Sequence, residues 1–179
     1  MSRRAIQYTV LACIVAAACL ASGERQPRHA HLGFEIVGSE PFVGQVQDAL
    51  TLIERHAPGD LKVIGRYVKR IEQHDRSGMD NYQDLPTCQL TPSSALASVT
   101  WCAGCIAHEA HHSKLFHGPK YSYGGAEEEL ACNAFQQRVL ERIGAPPSEL
   151  AHLAAQDGGH FDLDGDGRYT WADYYKRTW

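Results

Sequence analysis

The chain has 179 residues, enough for one compact domain with small appendages. With 44% hydrophobic and 21% charged residues it can bury an ordinary core, which argues against a disordered chain. A formal net charge of −4 and the lack of a basic run argue against nucleic acid as a partner.

Residues 1–22 read as an export signal or membrane anchor. Arg3 and Arg4 form a charged start, and Ala5 to Ser22 is mostly apolar and rich in small residues. Gln7, Tyr8 and Thr9 interrupt it, so it falls short of the ~20 apolar residues of a permanent span. Cleavage after Ala21 or Gly23, lipid modification at Cys19 and retention as a membrane tether all stay open. The expected location is exported: periplasmic, extracellular or membrane-anchored. The expected state is a monomer.

Residues 23–33 are polar, contain Pro27 and read as a linker to a main domain, residues 34–156. Phe34 to Val37 suits a short strand. Ser39 then caps a helix with Pro41 in its first turn. Phe42, Val43, Val46, Ala49, Leu50, Leu52 and Ile53 give it an apolar face, and it stops before Pro58-Gly59. Asp60 caps a segment from Leu61 to Ile71, a helix passing into a strand near Lys69 to Glu72. Ser77-Gly78 marks a turn, and Tyr82 to Leu90 an irregular strand broken by Pro86. A long helix runs from Ser93 to about Phe116 and ends at Gly118-Pro119. After a loop at Tyr121 to Gly125, a helix covers Ala126 to Ile143 and ends at Gly144. A short helix follows from Ser148 to Gln156, and residues 157–179 form a tail of another kind. The expected fold class is α+β.

The long helix carries His108-Glu109-Ala110-His111-His112. His108 and His112 are one turn apart, so both imidazoles project from one face and can share a metal ion. Glu109 lies beside them, where a general base can take a proton from an activated water. His111 points about a quarter-turn away, as a neighbour. Catalytic zinc keeps three protein ligands and an open position. Glu127, Glu128 and Glu129 open the next helix, and a carboxylate there can supply the third if the two helices pack antiparallel.

This pattern resembles the gluzincin branch of the zincin metallopeptidases, which pair His-Glu-x-x-His with a downstream Glu-x-x-Ala-Asp. Glu129-Leu130-Ala131-Cys132-Asn133 matches best, with Cys for Ala and Asn for Asp. The resemblance covers roughly residues 93–145. It implies a reduced zincin-like domain with a small sheet, Glu129 as the third zinc ligand with Glu128 as the alternative, and Asn133 orienting His108. It also implies a peptide or protein substrate.

Four cysteines lie outside the export segment: Cys88, Cys102, Cys105 and Cys132. An oxidising compartment permits disulfides, and four cysteines allow three pairings. Cys105 precedes His108 by three residues and Cys132 follows Glu129 by three. In an antiparallel helix pair joined by the metal they are expected to bond, leaving Cys88 to bond Cys102. The rival is a redox motif at Trp101-Cys102-Ala103-Gly104-Cys105, which needs a strand before it and a helix beginning at the first cysteine.

The tail contains a twelve-residue EF-hand-like loop, from Asp162 to Asp173. Asp162, Asp164 and Asp166 stand at places one, three and five, and Gly167 at the sharp turn. Arg168 offers its carbonyl at seven, Thr170 stands at nine, and Asp173 replaces the usual glutamate at twelve. This set of hard oxygen ligands suits Ca²⁺. Three functions are therefore expected in order: a zinc-dependent metallopeptidase-like hydrolase, a non-catalytic zinc- and calcium-stabilised surface binding module, and a thiol oxidoreductase using Cys102 and Cys105.

Overall fold

In the computed structural model, helices pack against a small mixed sheet, an α+β arrangement. It describes residues 27–119 and 125–159, with Asp162, Leu163, Gly165, Thr170, Ala172 and Asp173. Residues 1–22, expected as an export signal or anchor, lie outside the described residues. Among the described residues, no helix is long and apolar enough to cross a membrane.

The strands are β1 (Arg28–His31), β2 (Phe34–Val37), β3 (Arg70–Gln73), β4 (Gly78–Asp80) and β5 (Thr87–Leu90). Their order across the sheet is β1-β2-β3-β5-β4. The β2, β3 and β5 strands run parallel, and β1 and β4 lie antiparallel at the two edges. The expected linker thus contains a strand. Leu32 and Gly33 both have positive φ and close a two-residue turn between β1 and β2. The pairing of β1 is made by backbone hydrogen bonds, and its mostly polar side chains gave no alternating apolar pattern to read.

The helices are α1 (Glu40–His56), α2 (Pro58–Tyr67), α3 (Pro92–Ala95), α4 (Val99–Phe116), α5 (Ala126–Arg142) and α6 (Pro147–Ala154). The α1 helix buries Phe42, Val43, Val46, Ala49, Leu50 and Ile53, an i, i+3/i+4, i+7 stripe that needs a hydrophobic partner. It finds α4 and the sheet, whose Ile36, Ile71 and Leu90 are fully buried. Asp60, expected as a cap, sits inside the first turn of α2. It is buried and ion-paired at 3.0 Å to Arg138 of α5, with Arg142 as its second partner. These arginines are one turn apart and clamp α2 to α5.

The single helix expected from Ser93 is two. The chain breaks at Leu96 to Ser98, where Ser98 caps α4 by accepting from the Trp101 N–H at 2.8 Å. Ser98 and Thr100 then donate to the two oxygens of Glu149 on α6 at 2.6 and 2.8 Å. The α4 helix is buried nearly all round, the mark of a core helix. Gly104 lets α5 come close: a Cβ there would lie 2.9 Å from Leu140 Cδ2 and 3.2 Å from Gln136 Nε2. Gly104→Val is expected to cost about 1–3 kcal/mol by overpacking this contact, measured by denaturant unfolding.

Candidate metal centre

The antiparallel pair α4 and α5 brings the motif residues together. His108 and His112 present their Nε2 atoms 3.1 Å apart. Glu129 Oε2 lies 3.2 Å from His108 Nε2 and 3.4 Å from His112 Nε2. A tetrahedral zinc with nitrogen and oxygen ligands at about 2.0–2.2 Å sets its donors about 3.3–3.5 Å apart. The three atoms already have nearly that spacing, so the residues present fit such an ion.

Both imidazoles are held from behind. His108 Nδ1 donates to Gln136 Oε1 at 3.1 Å, and His112 Nδ1 donates to Glu128 Oε1 at 2.8 Å. With its hydrogen on Nδ1, each ring in its neutral form turns the Nε2 lone pair toward the shared point, the usual arrangement behind a metal-bound histidine. Glu128, the alternative ligand, thus sits behind His112, while Glu127 is exposed. Burial alone would lower the His112 pKa, but bonds with Cys132, Glu128 and Glu129 raise it well above its ordinary value.

Asn133 does not hold His108 as expected; Gln136 does. Three residues further along α5, Gln136 is turned about 60° from Asn133 around the helix, and its side chain is one methylene longer. The Asn133 amide is buried and its oxygen and nitrogen have no partner. Gln136→Ala is therefore expected to weaken zinc binding about 10–100-fold, with Asn133→Ala changing it far less, as measured by competition with a chromogenic chelator.

Glu109 is nine-tenths buried, and among the described residues it makes no hydrogen bond. Its carboxylate is near enough to help raise the pKa of Cys88, Cys105 and Cys132. His111 packs its ring against Phe135, centroids 5.1 Å apart, away from the donor atoms. Burial and nearby positive groups push it down to about 4, so it is neutral at pH 7.

Among the described residues, Cys88, Cys102, Cys105 and Cys132 are free thiols, and the expected Cys105–Cys132 and Cys88–Cys102 bonds are not formed. The reason for the first is rotation. Stepping three residues back from His108 and three forward from Glu129 turns about 60° in opposite senses. In an antiparallel pair those turns lead to opposite sides of the interface. Cys105 accordingly senses Cys102, Glu109 and Glu149, whereas Cys132 senses His112, Glu129 and Glu109. Cys88 of β5 lies close enough to feel both Cys102 and Cys105 without bonding either.

Burial pushes Cys88 and Cys105 well up, Cys102 to about 12, and Cys132 to about 11 against the opposing pull of His112. A redox nucleophile needs the reverse, and Cys102 lies inside α4 rather than at its start. Cys132 has another setting. Its sulfur and the ring nitrogens of His108 and His112 all lie within 4.8 Å of one another.

In the tail, Gly165 N–H donates to Asp162 Oδ1 at 2.6 Å. Asp173 joins the two ends of the loop: Oδ1 accepts from Leu163 N–H at 3.0 Å, and Oδ2 from Thr170 N–H at 2.8 Å and Oγ1 at 2.7 Å. The Thr170 hydroxyl leads in holding the Asp173 carboxyl below its ordinary range. Asp164, Asp166 and Arg168 lie outside the described residues. Just upstream, Gly158 has φ +77 and a backbone so close to α5 that a Cβ would lie 2.8 Å from the Ala126 carbonyl. The tail therefore starts against the first turn of the helix that carries Glu129.

Comparisons with protein-family models, with curated proteins and with solved structures gave no match.

Proposed function

We propose that this chain is an exported zinc-dependent hydrolase of the zincin type, with His108, His112 and Glu129 as ligands and Glu109 as general base. The observation that carries the reading is the triangle of Nε2, Nε2 and Oε2 atoms at 3.1, 3.2 and 3.4 Å. Zinc bound there supplies a Lewis acid, which polarises a carbonyl and acidifies water. The protein supplies the rest. Gln136 and Glu128 fix the tautomer and plane of each imidazole. Glu109 accepts the proton of the attacking water and returns it to the leaving amine. Its burial keeps that carboxylate from being spent on a competing surface partner. Peptide bonds as the substrate rest on the motif resemblance alone.

The tail reads as a calcium loop of the EF-hand kind that steadies the C-terminal segment beside α5. The hydrogen bonds of Asp162 and Asp173 support the loop geometry, and the spacing of acidic residues supports the choice of ion. Elemental analysis of purified protein tests the zinc reading: one zinc per chain is expected, absent from His108→Ala and His112→Ala. Hydrolysis of a mixed protein substrate is expected to stop with a chelator and return with zinc. Full hydrolysis by the metal-stripped chain would refute the reading.

A further inference from the structure

On α5, Glu128, Cys132 and Gln136 stand at i, i+4 and i+8, one ridge of the helix. On α4, His108 and His112 form the facing ridge. The outer two members of the α5 ridge each hold one imidazole, Glu128 at His112 and Gln136 at His108. The middle member is therefore level with the gap between the rings. That member is a thiol, fully buried, with its sulfur within 4.8 Å of the ring nitrogens. Glu129 Oε2, from the neighbouring position, approaches the two Nε2 atoms at 3.2 and 3.4 Å. Two candidate donor triads thus share the histidine pair, and together they make four donors, the number that closes a tetrahedral zinc site.

We infer that Cys132 is a fourth, displaceable metal ligand, so that the resting centre is His108, His112, Glu129 and Cys132, and catalysis requires the sulfur to leave. This rests on the zinc reading above and adds its regulation. Binding exchanges a proton for the ion: Cys132–SH plus M²⁺ gives Cys132–S–M⁺ and H⁺, with no change of oxidation state. A zinc–sulfur bond of about 2.3 Å leaves sulfur and nitrogen about 3.5 Å apart, so a sulfur within 4.8 Å needs to draw in by no more than roughly an ångström. With substrate in the fourth position, the Cys132 thiolate would take a proton from solvent and return to its place in the helix ridge.

Cobalt titration of the metal-free full chain tests this. Wild type is expected to bind one Co²⁺ with visible d–d bands and a thiolate-to-cobalt charge-transfer band in the near ultraviolet. Cys132→Ala is expected to keep the d–d bands and lose the charge-transfer band, and to release one proton fewer on loading. Cys132→Ser serves as a second variant if the alanine chain misfolds. Peptide hydrolysis by the zinc-loaded variant is expected to rise above wild type, because no thiolate competes for the open position. Cobalt d–d bands without charge transfer in wild type would overturn this inference and leave the three-ligand reading standing. A charge-transfer band that persists in both variants would also overturn it, by assigning the sulfur elsewhere. If neither protein binds cobalt, the zinc reading fails and takes this one with it.

Discussion

Glu109→Gln is expected to lower kcat/KM for hydrolysis by about 10²–10⁴-fold, the usual share of a positioned general base. Zinc content is expected to be unchanged, because Glu109 is not among the donors. The amide is nearly isosteric, so the buried site keeps its shape. It cannot accept the water's proton, and that is the only function removed. The measurement pairs elemental analysis with initial rates on one peptide substrate. A variant that keeps zinc and also keeps its rate would remove Glu109 from the mechanism. A variant that loses zinc would show that its carboxylate acts on the metal instead.

Zinc is expected to raise the melting temperature of the metal-free chain strongly at pH 8 and weakly at pH 6. At a zinc concentration about 100 times the dissociation constant at pH 8, the stabilisation is about 2.7 kcal/mol. For a chain of this size that is a shift of roughly 5–11 °C. The sign follows from His112. Its pKa in the folded, metal-free chain is raised, so its proton stabilises that chain below the unfolded value of about 6.5. That contribution is lost as the pH climbs through the raised folded value. Zinc needs the neutral ring, so proton and metal compete for His112. Each pH unit below the folded value weakens zinc up to about tenfold per proton displaced. At pH 6 and the same zinc concentration, the shift should be clearly smaller. A shift that is equal at both pH values, or that survives His112→Ala, would contradict the assignment.

Much of the centre was legible in the sequence because helix geometry is strict. A four-residue spacing must put His108 and His112 on one face, and a short connection must return the next helix antiparallel. Glu129 beside both rings follows from those two facts and the motif register. What went astray was the side of the helix. Three residues from His108 and three from Glu129 put Cys105 and Cys132 at one level but on opposite sides of the interface, because the two turns run in opposite senses. The partner of His108 was missed for a similar reason. Asn133 had the expected place in the motif, whereas Gln136 had the reach and the angle. The i, i+4, i+8 spacing of Glu128, Cys132 and Gln136 was present in the sequence and would have found it.

The fold was legible where burial imposes a period. The six buried positions of α1 announced a helix. The short strand at Phe34 to Val37 lies as expected and buries Phe34 and Ile36 against the helices. Edge strand β1 was not legible, since backbone pairing to β2 needs no apolar side chains. The break before α4 was hidden by Ala95, Leu96 and Val99, which suit a helix locally. Ser98 overrides them because its hydroxyl satisfies both the Trp101 N–H and Glu149.

The most direct test is an anomalous diffraction map of crystals grown with zinc. A single peak is expected about 2.0–2.2 Å from His108 Nε2, His112 Nε2 and Glu129 Oε2 together. A zinc peak bound by other residues, with this triad left bare, would contradict the account.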